Sequence, residues 1–184
     1  PEGAAALSYL QGRGLNAKII RHFGLGCAPN RWDGLLRHMR QKGYSEAELV
    51  NANLARRSDK NGRTSCYDNF RNRMMIPIID LRGNVIAFGG RVLDDAKPKY
   101  VNTSDTLVYK KSQAIFALNF AKSANQGKLI LAEGYMDVIA YHQAGFTNAV
   151  ACLGTALTRE QARLLARYAD EVILSYDADG AGQE

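Results

Sequence analysis

Residues 128–176 read KLILAEGYMDVIAYHQAGFTNAVACLGTALTREQARLLARYADEVILSY, and their pattern indicates the fold class. Short apolar runs alternate along it with segments of helical spacing. The runs at 128–132, 149–153 and 171–176 predict strands, and the segments at 135–143 and 159–168 predict helices. A β-α-β-α-β order predicts a parallel sheet with right-handed crossovers.

Acidic residues directly follow the first and third of these predicted strands. Glu133 comes after the strand at 128–132, whereas Asp177 and Asp179 come after the strand at 171–176. Because ligands bind beyond the carboxyl ends of parallel strands, we expect the three carboxylates to lie together. Asp137 lies one helical turn beyond Glu133 and can reach the same edge.

This acidic group predicts a metal site. Neighbouring carboxylates stay ionised together when a cation lies between them, and hard oxygen ligands with open positions suit Mg²⁺. Such sites serve phosphoryl or nucleotidyl transfer. Local alternatives remain, because a D-x-D pair also occurs in solvated turns and Asp137 at a helix start also stabilises the helix dipole. The letters DADGA (177–181) further resemble an EF-hand start, which needs a preceding helix, and a phosphatase D-x-D-G-T motif, in which Thr replaces this final Ala.

The composition is that of an ordinary globular chain. The 184 residues are 46% hydrophobic and 23% charged, which excludes disordered, collagen-like, coiled-coil and disulfide-scaffold classes. No apolar run approaches the roughly 18 residues of a membrane span. Cys27, Cys66 and Cys152 form no C-x-x-C pair, so zinc and redox motifs are not expected and a cytoplasmic location is favoured. The chain begins with Pro1, and we expect it to be a piece of a longer protein.

Charge is distributed unevenly along the chain. Residues 1–128 hold 21 Lys and Arg against 10 Asp and Glu, a net +11, whereas residues 129–184 hold 3 against 8, a net −5. A basic block followed by an acidic one suggests two subdomains with different partners. The alternative is an unevenly charged solvated surface.

The region before residue 128 predicts a mixed α+β subdomain. Ser45 and Glu48 have the spacing of a capping box, and Gly83 suits a turn with positive φ. The polar letters RRSDKNGR (56–63) predict a loop or turn. The other predicted elements are helices at 4–11, 16–23, 32–41, 45–54 and 113–123, strands at 74–80 and 85–88, and a basic loop at 94–112.

Two sets of motifs carry a family resemblance. The segment from AEGYMDV (132–138) to YDADGAGQ (176–183) resembles a Toprim domain, whose pattern places a Glu after the first strand and D-x-D after the third. The blocks YDNFRNRMMIPIIDLRGNVIAFGGRVL (67–93), PKYVNTSDTLVYKKS (98–112) and the stretch at 8–45 resemble the catalytic core of the bacterial, DnaG-type replicative primases. The resemblance covers essentially the whole chain. It implies a basic primase-core subdomain at 1–127 and a Toprim domain, truncated on its C-terminal side, at 128–184.

The resemblance also assigns roles to basic residues. It implies that Arg71, Arg73, Arg91, Lys99 and Lys110 bind the single-stranded DNA template, and that Lys99, Asn102 and Lys110 lie near the incoming nucleotide. Lys and Arg suit this task because they neutralise phosphates without reading base identity. For Arg71 a buried ion pair is the alternative. Four aromatic residues, Tyr67, Phe70, Tyr100 and Tyr109, either stack on bases or pack in the core.

The implied activity is that of a DNA-directed RNA polymerase that makes short RNA primers on single-stranded DNA from ribonucleoside triphosphates. Glu133, Asp177 and Asp179 would hold Mg²⁺ or Mn²⁺, with Asp137 in the same catalytic group. Zinc would belong only to an upstream module, and a replicative helicase would bind a downstream module, both outside this chain; no membrane partner is implied. Since the family has a second acidic pair beyond Glu184, we expect this fragment alone to be inactive.

Three other functions remain open at this stage. A Toprim nuclease or a plasmid or phage primase relative would share the metal chemistry. A single-strand-binding module would keep the basic surface with a vestigial acidic cluster. A D-x-D-G phosphatase would use Asp177 as its nucleophile.

Overall fold

The computed structural model describes residues 2–60, 62–124, 127–154 and 156–177. The helices are α1 (Ala4–Gly12), α2 (Ala17–His22), α3 (Gly34–Gln41), α4 (Glu46–Asn51), α5 (Leu118–Ala121), α6 (Tyr135–Gln143) and α7 (Arg159–Leu165). The strands are β1 (Gly26–Ala28), β2 (Ala55–Lys60), β3 (Arg63–Asp68), β4 (Arg73–Ile79), β5 (Val85–Val92), β6 (Tyr100–Asn102), β7 (Lys128–Ala132), β8 (Ala149–Ala151) and β9 (Glu171–Ser175). None of the helices in this described part has the length and apolar character that crossing a bilayer requires.

The chain folds into two compact units. The first comprises 1–14, 24–77 and 87–109, and the second comprises 15–23, 78–86 and 110–184. The division at 127/128 expected from the sequence stays a prediction.

The first unit is built on an antiparallel framework. One sheet has the order β1-β4-β5-β6, and its β5–β6 ladder pairs Arg91 with Tyr100. A separate hairpin pairs β2 with β3. A small core of Leu36, Leu49 and Ala55 packs α3 and α4 against this hairpin. Ser45 and Glu48 form the expected capping box, in which Ser45 N donates to Glu48 Oε2 at 2.8 Å and Glu48 N donates to Ser45 Oγ at 3.2 Å.

The prediction of a loop or turn at 56–63 was wrong, because most of this segment belongs to strands β2 and β3 of a hairpin. Ala55 and Asp68 close the base of this hairpin and are buried, at 2% and 4% exposure. Most of the hairpin beyond them is polar and exposed. Without one buried apolar face, the strands lack the alternating pattern by which a strand is recognised in a sequence.

The second unit contains the expected parallel sheet. Its strand order is β8-β7-β9, and β7 pairs in parallel with both neighbours. Both ladder neighbours of β7 come from later in the chain, as a β-α-β-α-β order requires. The core of this unit contains Ile115, Leu118, Ala121, Leu129, Leu131, Val150, Cys152 and Leu165. The prediction of an α/β fold, with a mixed α+β part and a parallel sheet, is confirmed.

Candidate metal and nucleic-acid sites

The ends of β7 and β9 bring two predicted carboxylates to one edge of the parallel sheet. Ala132 pairs with Ser175 in the ladder, so Glu133 and Asp177 both follow paired residues. The backbone N–H of Asp177 donates to Glu133 Oε2 at 3.3 Å across 44 residues of sequence. Register in the sheet therefore places the two side by side.

Both carboxylates face an open cavity of about 380 Å³. Glu133, Asp137 and Asp177 are all solvent-exposed. On the wall of the cavity, the Tyr141 hydroxyl and Ser175 Oγ are hydrogen-bonded at 2.7 Å. Burial is the main cause that raises the pKa of Tyr176, and Cys152 and Glu133 add to it. The lining residues are Glu133, Asp137, Ala140, Tyr141, Ala144, Phe146, Ser175, Tyr176 and Asp177.

Asp137 has a local partner at the start of α6. Its Oδ2 accepts the backbone N–H of Gly134 at 3.1 Å. This bond satisfies an amide that the first turn of a helix would otherwise leave unpaired, and the negative charge suits the helix N-terminus. Asp137 thereby fixes the turn that follows Glu133.

The side chains at this edge have the oxygen ligands that a hard divalent cation prefers. Glu133 and Asp177 supply exposed oxygen ligands on one edge, next to open space that substrate oxygens and water can fill. Across the described ranges, no three His, Cys, Asp or Glu side chains meet as a metal cluster. Asp179, the third predicted ligand, lies outside the described residues.

In the first unit, Arg71 belongs to an aromatic stack. Its Cζ lies 4.4 Å from the centroid of the Trp32 ring and 5.1 Å from that of Tyr67. The two rings stack on each other at 4.7 Å, and Arg71 Nη1 donates to the carbonyl of Asp68. Trp32 is 59% exposed, so the stack is a surface feature.

Arg73 is more deeply placed, at 9% exposure. Its Nη1 donates to the carbonyls of Gly90 and Pro98, both at 3.2 Å, and Nη2 also donates to Pro98. Burial lowers the pKa of its guanidinium, and nearby Arg71 lowers it further. These contacts hold the segment before β6 against β5, while a phosphate contact of Arg73 stays a prediction.

Arg91 contacts two tyrosines. Its Cζ lies 4.9 Å from the ring centroid of Tyr9 and 5.4 Å from that of Tyr100. Arg91 Nη1 donates to the Tyr100 hydroxyl at 3.0 Å. Burial raises the pKa of Tyr100, although the hydrogen bond from Arg91 lowers it in part. The side chain of Arg91 is thus fixed by its own sheet and by α1.

Of the other predicted binding residues, Asn102 lies on β6, Lys99 directly precedes it, and Lys110 lies further along the chain. Lys99 is exposed, and its carbonyl accepts the backbone N–H of Val92 at 3.0 Å. Asn102 is half-buried in β6 opposite Gly89. Lys110 belongs to the second unit and is exposed. The binding roles of all three stay predictions.

The four aromatic candidates divide by burial. Phe70 and Tyr109 are core residues, at 6% and 0% exposure, and burial raises the pKa of Tyr109 to about 12. Tyr67 and Tyr100 are half-buried and contact arginines.

Sequence reasoning missed three residues beside the predicted arginines. The sequence predicts Trp32 only as part of the helix at 32–41, yet its ring stacks on Arg71. Tyr9 and Arg13 were not considered, although their spacing of four residues at the end of α1 signals neighbouring side chains. Arg13 Nε donates to the Tyr9 hydroxyl at 3.0 Å.

Family models match both parts of the chain. The DNA primase catalytic core, N-terminal domain, matches residues 1–122, and a Toprim-like model matches residues 130–184. The chain belongs to the DNA primase catalytic core family. The Toprim-like match implies use of a divalent metal in its second part.

Curated relatives agree with this family. The chain is 52% identical over 179 residues to a DNA primase of Clostridium acetobutylicum, covering 97% of this chain and 29% of the relative. It is 53% identical over 180 residues to a DNA primase of Deinococcus radiodurans, covering 96% and 31%. The chain thus spans about three-tenths of the length of these relatives.

Solved primase structures share its fold. A DnaG primase catalytic domain bound to single-stranded DNA is 41% identical with a TM-score of 0.89, covering 100% of this chain and 57% of that one. The RNA polymerase domain of the Mycobacterium tuberculosis primase DnaG is 39% identical with a TM-score of 0.89, covering 98% and 61%.

Proposed function

We propose that this chain is the catalytic-core part of a DNA primase, a DNA-directed RNA polymerase that synthesises short RNA primers on single-stranded DNA. The observation that carries the proposal is the pair Glu133 and Asp177 at adjoining ends of β7 and β9. Family membership supports it. Its curated relatives are DNA primases, and one related primase structure contains single-stranded DNA.

Glu133, Asp177 and Asp179 would hold Mg²⁺, or Mn²⁺ in its place, at the edge of the sheet. The bound metal would lower the pKa of a ribonucleotide 3′-hydroxyl and neutralise charge on the phosphates. Glu133 and Asp177 orient the site through the register of their strands, and Asp137 keeps Glu133 in place through the Gly134 turn. No side chain needs to act as a nucleophile.

The basic side chains would hold nucleic-acid phosphates. Arg71, Arg91 and Lys99 in the first unit and Lys110 in the second supply charge, which binds template without base specificity. Arg73 would contribute by holding the Pro98–Lys99 backbone. Lys99, Asn102 and Lys110 would contact the incoming ribonucleoside triphosphate. The exposed Trp32 ring offers a base a stacking surface beside Arg71.

The wider assignments follow from this proposal. Residues 1–127 would form the template-binding part and 128–184 the Toprim part. A replicative helicase would bind a further module of the protein, and zinc would bind another. The location would be the cytoplasm. Helicase association should disappear when the sequence C-terminal to the catalytic core is deleted from the full-length protein.

The test compares ribonucleotide incorporation on single-stranded template by the full-length protein and its Glu133→Gln variant. Loss of one ligand charge should lower the rate about 100-fold or more, since a single preorganised electrostatic group commonly supplies that much. Glu160→Gln, on the exposed first turn of α7, is the matched control and should retain the wild-type rate. Equal rates for Glu133→Gln and wild type would refute the proposal.

Product analysis separates the rival functions in the same assay. Shortened template would indicate a nuclease, and an aspartyl-phosphate at Asp177 would indicate a phosphatase. DNA binding with neither incorporation nor cleavage would indicate a binding module.

A further inference from the structure

Tyr9 connects α1 to an arginine of the antiparallel sheet. Arg91 and Tyr100 are cross-strand partners in the β5–β6 ladder, so their contact is local to the sheet. Tyr9 comes from α1, and its ring centroid lies 4.9 Å from Arg91 Cζ. The shorter of the two ring distances to Arg91 therefore involves a residue outside the sheet.

Tyr9 also contacts a second arginine. Arg13 Nε donates to the Tyr9 hydroxyl at 3.0 Å, and Arg13 Cζ lies 5.7 Å from the same ring. The negative face of one aromatic ring attracts both cations. Tyr9 thus brings the Arg13 and Arg91 guanidinium groups to a single ring.

Holding an arginine in one place has a physical benefit for binding. A free arginine side chain loses rotamer entropy when it is fixed. A ring against the guanidinium fixes it before a ligand arrives, so less is lost on binding. Stacking uses the face of the guanidinium, whereas hydrogen bonds to phosphate use its edge.

We propose that Tyr9 is a positioning residue that holds Arg91 ready for a phosphate of single-stranded nucleic acid. This inference rests on the proposed function, which gives Arg91 its phosphate contact. Tyr9 acts through its ring on Arg91. The hydroxyl of Tyr9, which Arg13 contacts, is secondary.

The experiment measures the Kd of the full-length protein for single-stranded DNA at several salt concentrations. Tyr9→Leu removes the ring and should weaken binding about three- to ten-fold. It should also lower the slope of log K against log salt towards that of Arg91→Ala, which loses about 0.7 for one single-strand phosphate contact. Tyr9→Phe keeps the ring and should bind within about twofold of wild type. Tyr44→Leu, at a half-exposed tyrosine of the same unit, is the control and should match wild type.

A double variant tests whether Tyr9 works through Arg91. Adding Tyr9→Leu to Arg91→Ala should change Kd by less than about twofold, because the positioned group is already absent. Circular dichroism melting checks that each variant folds. If Tyr9→Leu does not fold, Tyr9→Met replaces it as the ring-free variant.

Three results would overturn the inference while the proposed function stands, provided that Arg91→Ala itself weakens binding. The first is a Kd and salt slope of the ring-free variant equal to those of wild type. The second is that Tyr9→Leu raises Kd by the same factor in the wild type and in Arg91→Ala. The third is that Tyr9→Phe raises Kd as much as Tyr9→Leu does. Unchanged Kd and slope in Arg91→Ala would instead remove the phosphate role of Arg91, and the role of Tyr9 with it.

Discussion

Replacing Asp68 with alanine should loosen the start of α3. Asp68 lies at the end of β3 and is 4% exposed. Its Oδ2 accepts the backbone N–H of Leu35 at 2.8 Å, and its Oδ1 accepts that of Leu36 at 2.9 Å. A residue of the hairpin thus caps a helix 32 residues earlier. The residue at the N-cap itself, Asp33, makes no side-chain cap bond.

The expected cost follows from these two bonds. Loss of a helix cap costs about 0.5–2 kcal/mol, and a hydrogen bond to a charged group contributes about 1.5–3 kcal/mol. Asp68→Ala leaves two amides without their acceptor near a buried site, so we expect about 2–3 kcal/mol. Asp33→Ala removes only an exposed ion pair with Arg37, and should cost well under 1 kcal/mol.

Amide hydrogen exchange of the full-length protein measures this locally. In Asp68→Ala the amides of α3 should exchange about 30- to 160-fold faster, which is the same free energy expressed as an opening equilibrium. In Asp33→Ala the change should stay below about threefold. Equal protection in the two variants, or faster exchange in Asp33→Ala, would refute the view that Asp68 is the cap.

The remaining predictions concern packing, pH and charge. Gly90→Ala places a Cβ 2.9 Å from Cδ1 of the buried Phe70 and 3.0 Å from Arg73 Cδ, so it should lower stability by about 1–3 kcal/mol. Gly12→Ala meets open space on α1 and should not; thermal melting compares the two. Burial lowers the pKa of His142, so its neutral form favours folding, and stability should fall as the pH drops below the ordinary His value of about 6.5. Between pH 7.5 and 5.5 the melting temperature of the wild type should therefore fall more than that of His142→Gln. An equal fall in both proteins would contradict this. Lys99→Ala should weaken single-strand binding and reduce its salt slope by about 0.7, and an unchanged slope would give Lys99 a structural role.

Local patterns predicted the parallel sheet because each signal lies within a few residues. Apolar runs mark β7 and β9, and the strand order then brings Glu133 and Asp177 together without any knowledge of side-chain contacts. The Ser45 capping box is equally local, since its partner is three residues away.

Long-range contacts escaped the sequence for the opposite reason. The Asp68 cap and the Tyr9–Arg91 contact join residues that only the folded chain brings near. The β2–β3 hairpin was missed because its polar strands carry no buried face. For Arg73, the family resemblance implied phosphate binding, whereas its burial and carbonyl partners appear only in three dimensions.

The ladder between β7 and β9 also determines which changes of chain length this site can tolerate. Inserted residues in the turn after α6 or after α7 lengthen the path from Glu133 to Asp177 but leave the paired positions Ala132 and Ser175 unchanged. Deletion of one residue inside β9 would move Asp177 by about 3.3 Å back along the strand and reverse the face of each side chain between the deletion and Asp177. We therefore expect natural length variation among relatives to accumulate in the turns and to be excluded from these two strands.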